Sequence, residues 1–101
     1  MNNYQKITAE LAETCGTSTD ILARYADVAS ELGELGKELL QGTNYGIAKF
    51  EHTAGLAIEL GDVIAALALL ANAAGLDMDE CFNLAMQKYR RRFEAIGQIG
   101  S

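Results

Sequence analysis

The sequence predicts an all-α protein, an antiparallel helical bundle with a four-helix core. Three observations lead there. Apolar residues recur at helical spacing in four segments, no segment alternates as a strand does, and the breaks between segments are short and glycine-bearing. Short connections between long helices make consecutive helices antiparallel neighbours. A chain of 101 residues fits one domain, 1–101, with a small core.

The first helix is expected from about Tyr4 to Thr14, with Asn3 as its cap and Gly16 as its stop; Tyr4, Ile7 and Leu11 share one face. The second opens at Thr17-Ser18-Thr19-Asp20, a capping-box-like start, and runs to about Gln41. Along it Ile21, Tyr25, Val28, Leu32, Leu35 and Leu39 repeat at steps of four and three, a coiled-coil-like seam. Gln41 to Gly46 is the clearest turn in the chain. A third helix is expected from about Ile47 to Ala74, ending at Gly75. Asp77 and Glu80 form a second capping box, opening a fourth helix on which Phe82, Ala85, Met86, Tyr89, Phe93 and Ile96 share a face.

The stretch Val63 to Ala71 is apolar all round, so the third helix needs cover on every side. Three other helices in so short a chain can hardly supply it, and a homo-oligomer is expected, most simply a dimer with an isologous interface. A membrane span is not expected: Glu59 and Asp62 interrupt the apolar segment, and a span needs roughly 20 apolar residues. Met1 to Lys6 is polar with no apolar stretch behind it, so a secretory leader is not expected and a cytoplasmic protein is. The net charge of −6 disfavours nucleic acid and membrane surfaces as partners. Cys15 and Cys81 make neither a disulfide framework nor a zinc site, and read as two reduced, buried or half-buried thiols.

The acidic residues carry the chemistry. Glu31, Glu34 and Glu38 fall within a 60° arc of the second helix, beside the leucine seam. Glu59 and Asp62 stand at i, i+3 on the third. The midpoint between the pairs Glu31/Glu34 and Glu59/Asp62 is position 46.5, at the end of the turn, so a hairpin folded there brings both pairs level, about 20 Å from the turn. Four carboxylates at one level repel one another and call for a cation. An oxygen-only donor set, without histidine or thiol, suits Mg²⁺, with Mn²⁺ as the other choice, rather than zinc. Gly33, Gly36 and Gly61 lie among the acids, each costing roughly 0.5–1 kcal/mol relative to alanine. They leave room for a ligand, or for close helix packing.

Glu31-Leu32-Gly33-Glu34-Leu35, a gap, then Glu59-Leu60-Gly61-Asp62-Val63 resembles the paired acidic motifs of the MazG-like all-α nucleoside triphosphate pyrophosphohydrolases. Gly75-Leu76-Asp77 followed by a helix resembles the family's continuation, and the likeness covers roughly residues 20 to 95. The resemblance implies a helical bundle assembled as a dimer or tetramer. It also implies Mg²⁺-dependent cleavage of nucleoside triphosphates between the α and β phosphates, releasing a monophosphate and pyrophosphate. Glu31, Glu34, Glu59 and Asp62 are then the metal ligands. Glu38 matches an extra acid for a second metal or for orienting water, and Glu34 or Glu38 could take the water's proton.

Half the positive charge lies in Lys88, Arg90, Arg91 and Arg92. These either complement the helix dipole or, for Lys88 and Arg92, which match the family's phosphate-contacting lysine and arginine, reach the substrate phosphates. Tyr89 stands where the family shows asparagine. Tyr4, Tyr25, Phe50, Phe82 and Phe93 could stack on a base, but helical spacing also explains each as core. His52 reads as a surface residue, and Asn72 as either a nucleotide contact or a polar contact near the helix end. A phosphoribosyl-ATP pyrophosphatase-like enzyme and a non-catalytic oligomerisation module are the alternatives. The first expects a different continuation after the second acidic motif, and the second expects no stabilisation by metal.

Overall fold

The computed structural model describes residues 2–97 and Gly100. It is all-helical, with four helices: α1 (Asn3–Cys15), α2 (Ile21–Gly42), α3 (Leu56–Ala74) and α4 (Met78–Ile96). No strand occurs among the described residues. Side-chain oxygens set the starts of three helices. Asp20 accepts from the Ala23 amide at 2.9 Å, and Asp77 accepts from Asp79 and Glu80. The cap of α1 is Asn2, accepting from the Gln5 amide, one residue earlier than the sequence led us to expect. Gly16 and Gly75 close α1 and α3 in the left-handed region, at φ 68° and 70°, where an L side chain would be strained.

The third helix begins at Leu56, well past the expected Ile47. Residues 47–54 contain no glycine or proline to forbid a helix, so tertiary contacts decide their shape. Asn44, Tyr45 and Gly46 take positive φ in succession and reverse the chain. The connection then folds back along α2: Glu51 N–H donates to Gly42 at 2.8 Å, and the Thr53 hydroxyl donates to Glu38 at 2.6 Å. Gly42 is buried under this return. A Cβ there would lie 2.8 Å from both the Glu51 carbonyl oxygen and the Phe50 ring.

Because the connection retraces the last turn of α2, Gly55 lies beside Glu38, where an added Cβ would stand 2.7 Å from Oε1. Four residues further along each helix Glu59 is level with Glu34, and three beyond that Asp62 is level with Glu31. The register inferred from the sequence is therefore reached by a different path. The acids lie roughly 14 Å from the end of α2, closer than the 20 Å a direct turn implies.

α3 lies between α1 and α2 and packs on both. Gln5 is wholly buried and ties three elements together. Its Nε2 donates to Asn72 Oδ1 at 3.0 Å and to the Leu76 carbonyl at 2.7 Å, and its Oε1 accepts from the Met78 amide at 2.9 Å. Asn72 Nδ2 donates back to the Gln5 carbonyl at 3.1 Å. Asn72 is thereby a structural contact, one of the two roles its position allowed.

α4 completes the four helices of the fold. It is anchored at its start, where Asn2 donates to Asp79 at 3.2 Å, and packs extensively on none of the other helices. Its apolar face stays open, with Phe82, Phe93 and Ile96 61%, 59% and 68% exposed. The radius of gyration is 16.5 Å, against about 13 Å for a compact chain of this length. The buried apolar core is correspondingly small: Val28, Val63, Ala66 and Ala68. α3 is long and apolar enough to cross a membrane by length and composition, but carries Glu59 and Asp62. Cys15 and Cys81 are exposed free thiols, not the buried or half-buried pair expected. Cys15 is the last residue of α1 and Cys81 stands in the first turn of α4, and neither helix end is covered there.

Candidate metal centre

α2 and α3 present their acids to one another across the hairpin. Glu31, Glu59 and Asp62 each offer a carboxylate oxygen within 4.8 Å of the others. Glu31 and Glu59 are half-buried and Asp62 is exposed. Partial burial raises the Glu31 carboxyl above its ordinary value of 4.5, and the charges of Asp62, Asp27, Glu59 and Glu34 raise it further. Glu59 is raised likewise, by partial burial and then by Asp62, Glu34 and Glu38. No ion pair to Glu31, Glu59 or Asp62 occurs among the described residues.

The fourth acid of the expected set, Glu34, is exposed and stands outside the close trio, near enough for its charge to act on both half-buried glutamates. Glu38 is half-buried and holds the Thr53 hydroxyl. Gly33, Gly36 and Gly61 border open space, since an added Cβ would meet nothing within 4 Å at any of them. Packing between helices of this chain therefore does not require them.

The basic residues of α4 are not brought to the acids within one chain. Lys88 Nζ lies 4.9 Å over the Tyr89 ring, and Arg92 Nη1 donates to the Gly100 carbonyl at 2.9 Å. His52 is exposed and meets Phe50 edge-on, with ring centroids 5.2 Å apart. Two participants escaped the sequence reading. Asp27 reaches Glu31 electrostatically, and its position one turn before Glu31 on the same face was the available signal. Thr53 holds Glu38, and nothing local marks it, because the contact depends on the fold-back of the connection.

Three carboxylates in reach of one another, with no ion pair to any of them among the described residues, fit a hard divalent ion by their chemistry. Fold and site together define an all-helical protein with an acidic, metal-compatible hairpin. The sequence model of the MazG nucleotide pyrophosphohydrolase domain matches residues 3–96, nearly the whole chain. The chain belongs to this MazG family of nucleotide pyrophosphohydrolase-type domains. Comparison with curated proteins and with solved structures gave no significant match.

Proposed function

We propose that this protein is a Mg²⁺-dependent nucleoside triphosphate pyrophosphohydrolase. It cleaves ribo- or deoxyribonucleoside triphosphates between the α and β phosphates, giving the monophosphate and pyrophosphate. The observation that carries the reading is the convergence of Glu31, Glu59 and Asp62 within 4.8 Å in a chain of the MazG family. These three residues, with Glu34 beside them, would hold Mg²⁺, or Mn²⁺ in its place. Bound there, the ion would neutralise triphosphate charge and lower the pKa of a water. Glu34, exposed next to the trio, accepts the proton of the attacking water at its carboxylate. Glu38 fixes the connection through Thr53 and orients water from the same side.

Lys88 and Arg92 serve the β and γ phosphates from a second copy, a reading that the open form of the chain supports. A homo-oligomer, dimer or tetramer, would cover the bare apolar faces of α3 and α4, which support this reading. A role in removing surplus or damaged nucleotides from the cytoplasmic pool fits such an activity.

The test is a panel of standard and modified nucleoside triphosphates with Mg²⁺, scored for pyrophosphate and for orthophosphate. Pyrophosphate with one equivalent of monophosphate is expected. Orthophosphate alone would overturn the site of cleavage. No turnover, with no stabilisation by Mg²⁺, would favour a non-catalytic oligomerisation module, and turnover confined to phosphoribosyl-ATP would favour the other alternative.

A further inference from the structure

A cavity of about 450 Å³ opens between α1, the α1–α2 connection, the start of α2 and the end of α3. Its wall mixes small or apolar residues, including Ala9, Ala12 and Leu69, with polar ones. Arg24 lines it, and the buried Nε–H of Arg24 has no hydrogen-bond partner. The only ion pair of this guanidinium among the described residues runs from Nη1 to Asp27 at 3.7 Å, beyond hydrogen-bond reach, and leaves Nε free. A buried, unanswered guanidinium N–H is costly, and such groups are found where a ligand answers them. Glu13 stands in the same wall as an acceptor, and the Thr19 hydroxyl adds a group that can donate or accept.

The position of the cavity relates it to the acids. Arg24 precedes Glu31 by seven residues and Leu69 follows Asp62 by seven, so each pair shares a helix face, about 10 Å apart along the hairpin. A nucleotide whose phosphates lie at the acids would reach this cavity with its base.

We infer that this cavity is the base subsite of the enzyme and that it takes a carbonyl-bearing base, with Arg24 Nε–H donating to the carbonyl and Glu13 accepting from a ring or amino N–H. Guanine and uracil offer a carbonyl beside an N–H on one edge, whereas adenine has no carbonyl. The inference rests on the pyrophosphohydrolase reading for the placement of the phosphates. Arg24 and Glu13 are specificity residues here and take no part in the cleavage.

The experiment measures binding of three probes with Mg²⁺ by calorimetry: the α,β-methylene analogues of GTP and of ATP, and inorganic tripolyphosphate. Wild type is compared with Arg24→Met, which keeps the stem and removes the donor, and with Ala12→Leu, which adds bulk to the cavity wall and keeps the Arg24 donor. The guanosine analogue is expected to bind about tenfold or more tighter than tripolyphosphate and than the adenosine analogue, the scale of one hydrogen bond to a charged group. Both variants should abolish that advantage and leave tripolyphosphate unchanged. A guanosine advantage that survives both variants would place the base elsewhere and overturn the inference. So would equal affinity of the three probes in the wild type. Failure of tripolyphosphate to bind, with guanosine binding still sensitive to Arg24, would sink the metal reading and leave the subsite standing.

Discussion

The Thr53 hydroxyl donates to the Glu38 carboxylate at 2.6 Å, and this bond fastens the connection to the helix that carries the first acids. With Gly55 packed beside the same carboxylate, it fixes which residues of α2 and α3 stand level. Thr53→Val keeps the shape and removes the donor. It should cost about 1 kcal/mol, seen as a fall in Tm of about 4–8 °C. An unchanged Tm would mean that the register is held elsewhere.

Gly42 lies under the returning connection, and there the obstruction is backbone, which cannot swing aside. Gly42→Ala would push a methyl group against the Glu51 carbonyl and the Phe50 ring. A loss of about 1–3 kcal/mol in denaturant unfolding is expected, as for overpacking in a tight core. A neutral substitution would show that the connection does not pack on the end of α2.

Gln5 holds the starts of α1 and α4 to the end of α3 with every polar atom of its amide engaged. Gln5→Leu matches its size but strands the Met78 amide, the Leu76 carbonyl and Asn72 Oδ1. The expected loss is about 2–3 kcal/mol, with hydrogen exchange at the Met78 amide accelerated. Exchange left unchanged would refute the lock.

How much of this was open to sequence reading depends on whether a contact is local. Asp20 and Asp77 act within one turn of chain, and both starts were legible. The all-α class followed from periodicity. The register of the acids was legible as well, from the positions of Glu31, Glu34, Glu59 and Asp62 alone. The connection was not, because residues 47–54 read as helix and are diverted only by Gly42, Phe50 and Glu38. Gln5 was invisible for a similar reason: a glutamine on a mixed helix face looks solvated until its partners, far along the chain, are known. The bare face of α4 has helical spacing like any core face, and spacing does not say whether the partner lies in the same chain.

Glu31 and Glu59 are both raised, so the folded protein holds protons that the unfolded chain has already released. For an acid, that sign means stability is lost as pH rises through and above the ordinary glutamate value of 4.5, where Glu31 and Glu59 become charged. A divalent ion that binds only the charged trio reverses the loss. The rise in Tm on adding Mg²⁺ should therefore be absent near pH 4 and grow towards neutrality, and Glu31→Gln should stabilise the metal-free protein while reducing the response. Melting curves with and without Mg²⁺ across pH check both. A response independent of pH would count against carboxylate binding.

The most direct test of the central claim is pyrophosphate release from a nucleoside triphosphate by the wild type and by Glu59→Gln, side by side with Mg²⁺. Wild type should release pyrophosphate and monophosphate in equal amounts, and the variant should be slower by about two orders of magnitude or more, since even outer-shell changes at metal sites cost 10–100-fold. Pyrophosphate released by the variant at the wild-type rate would contradict it.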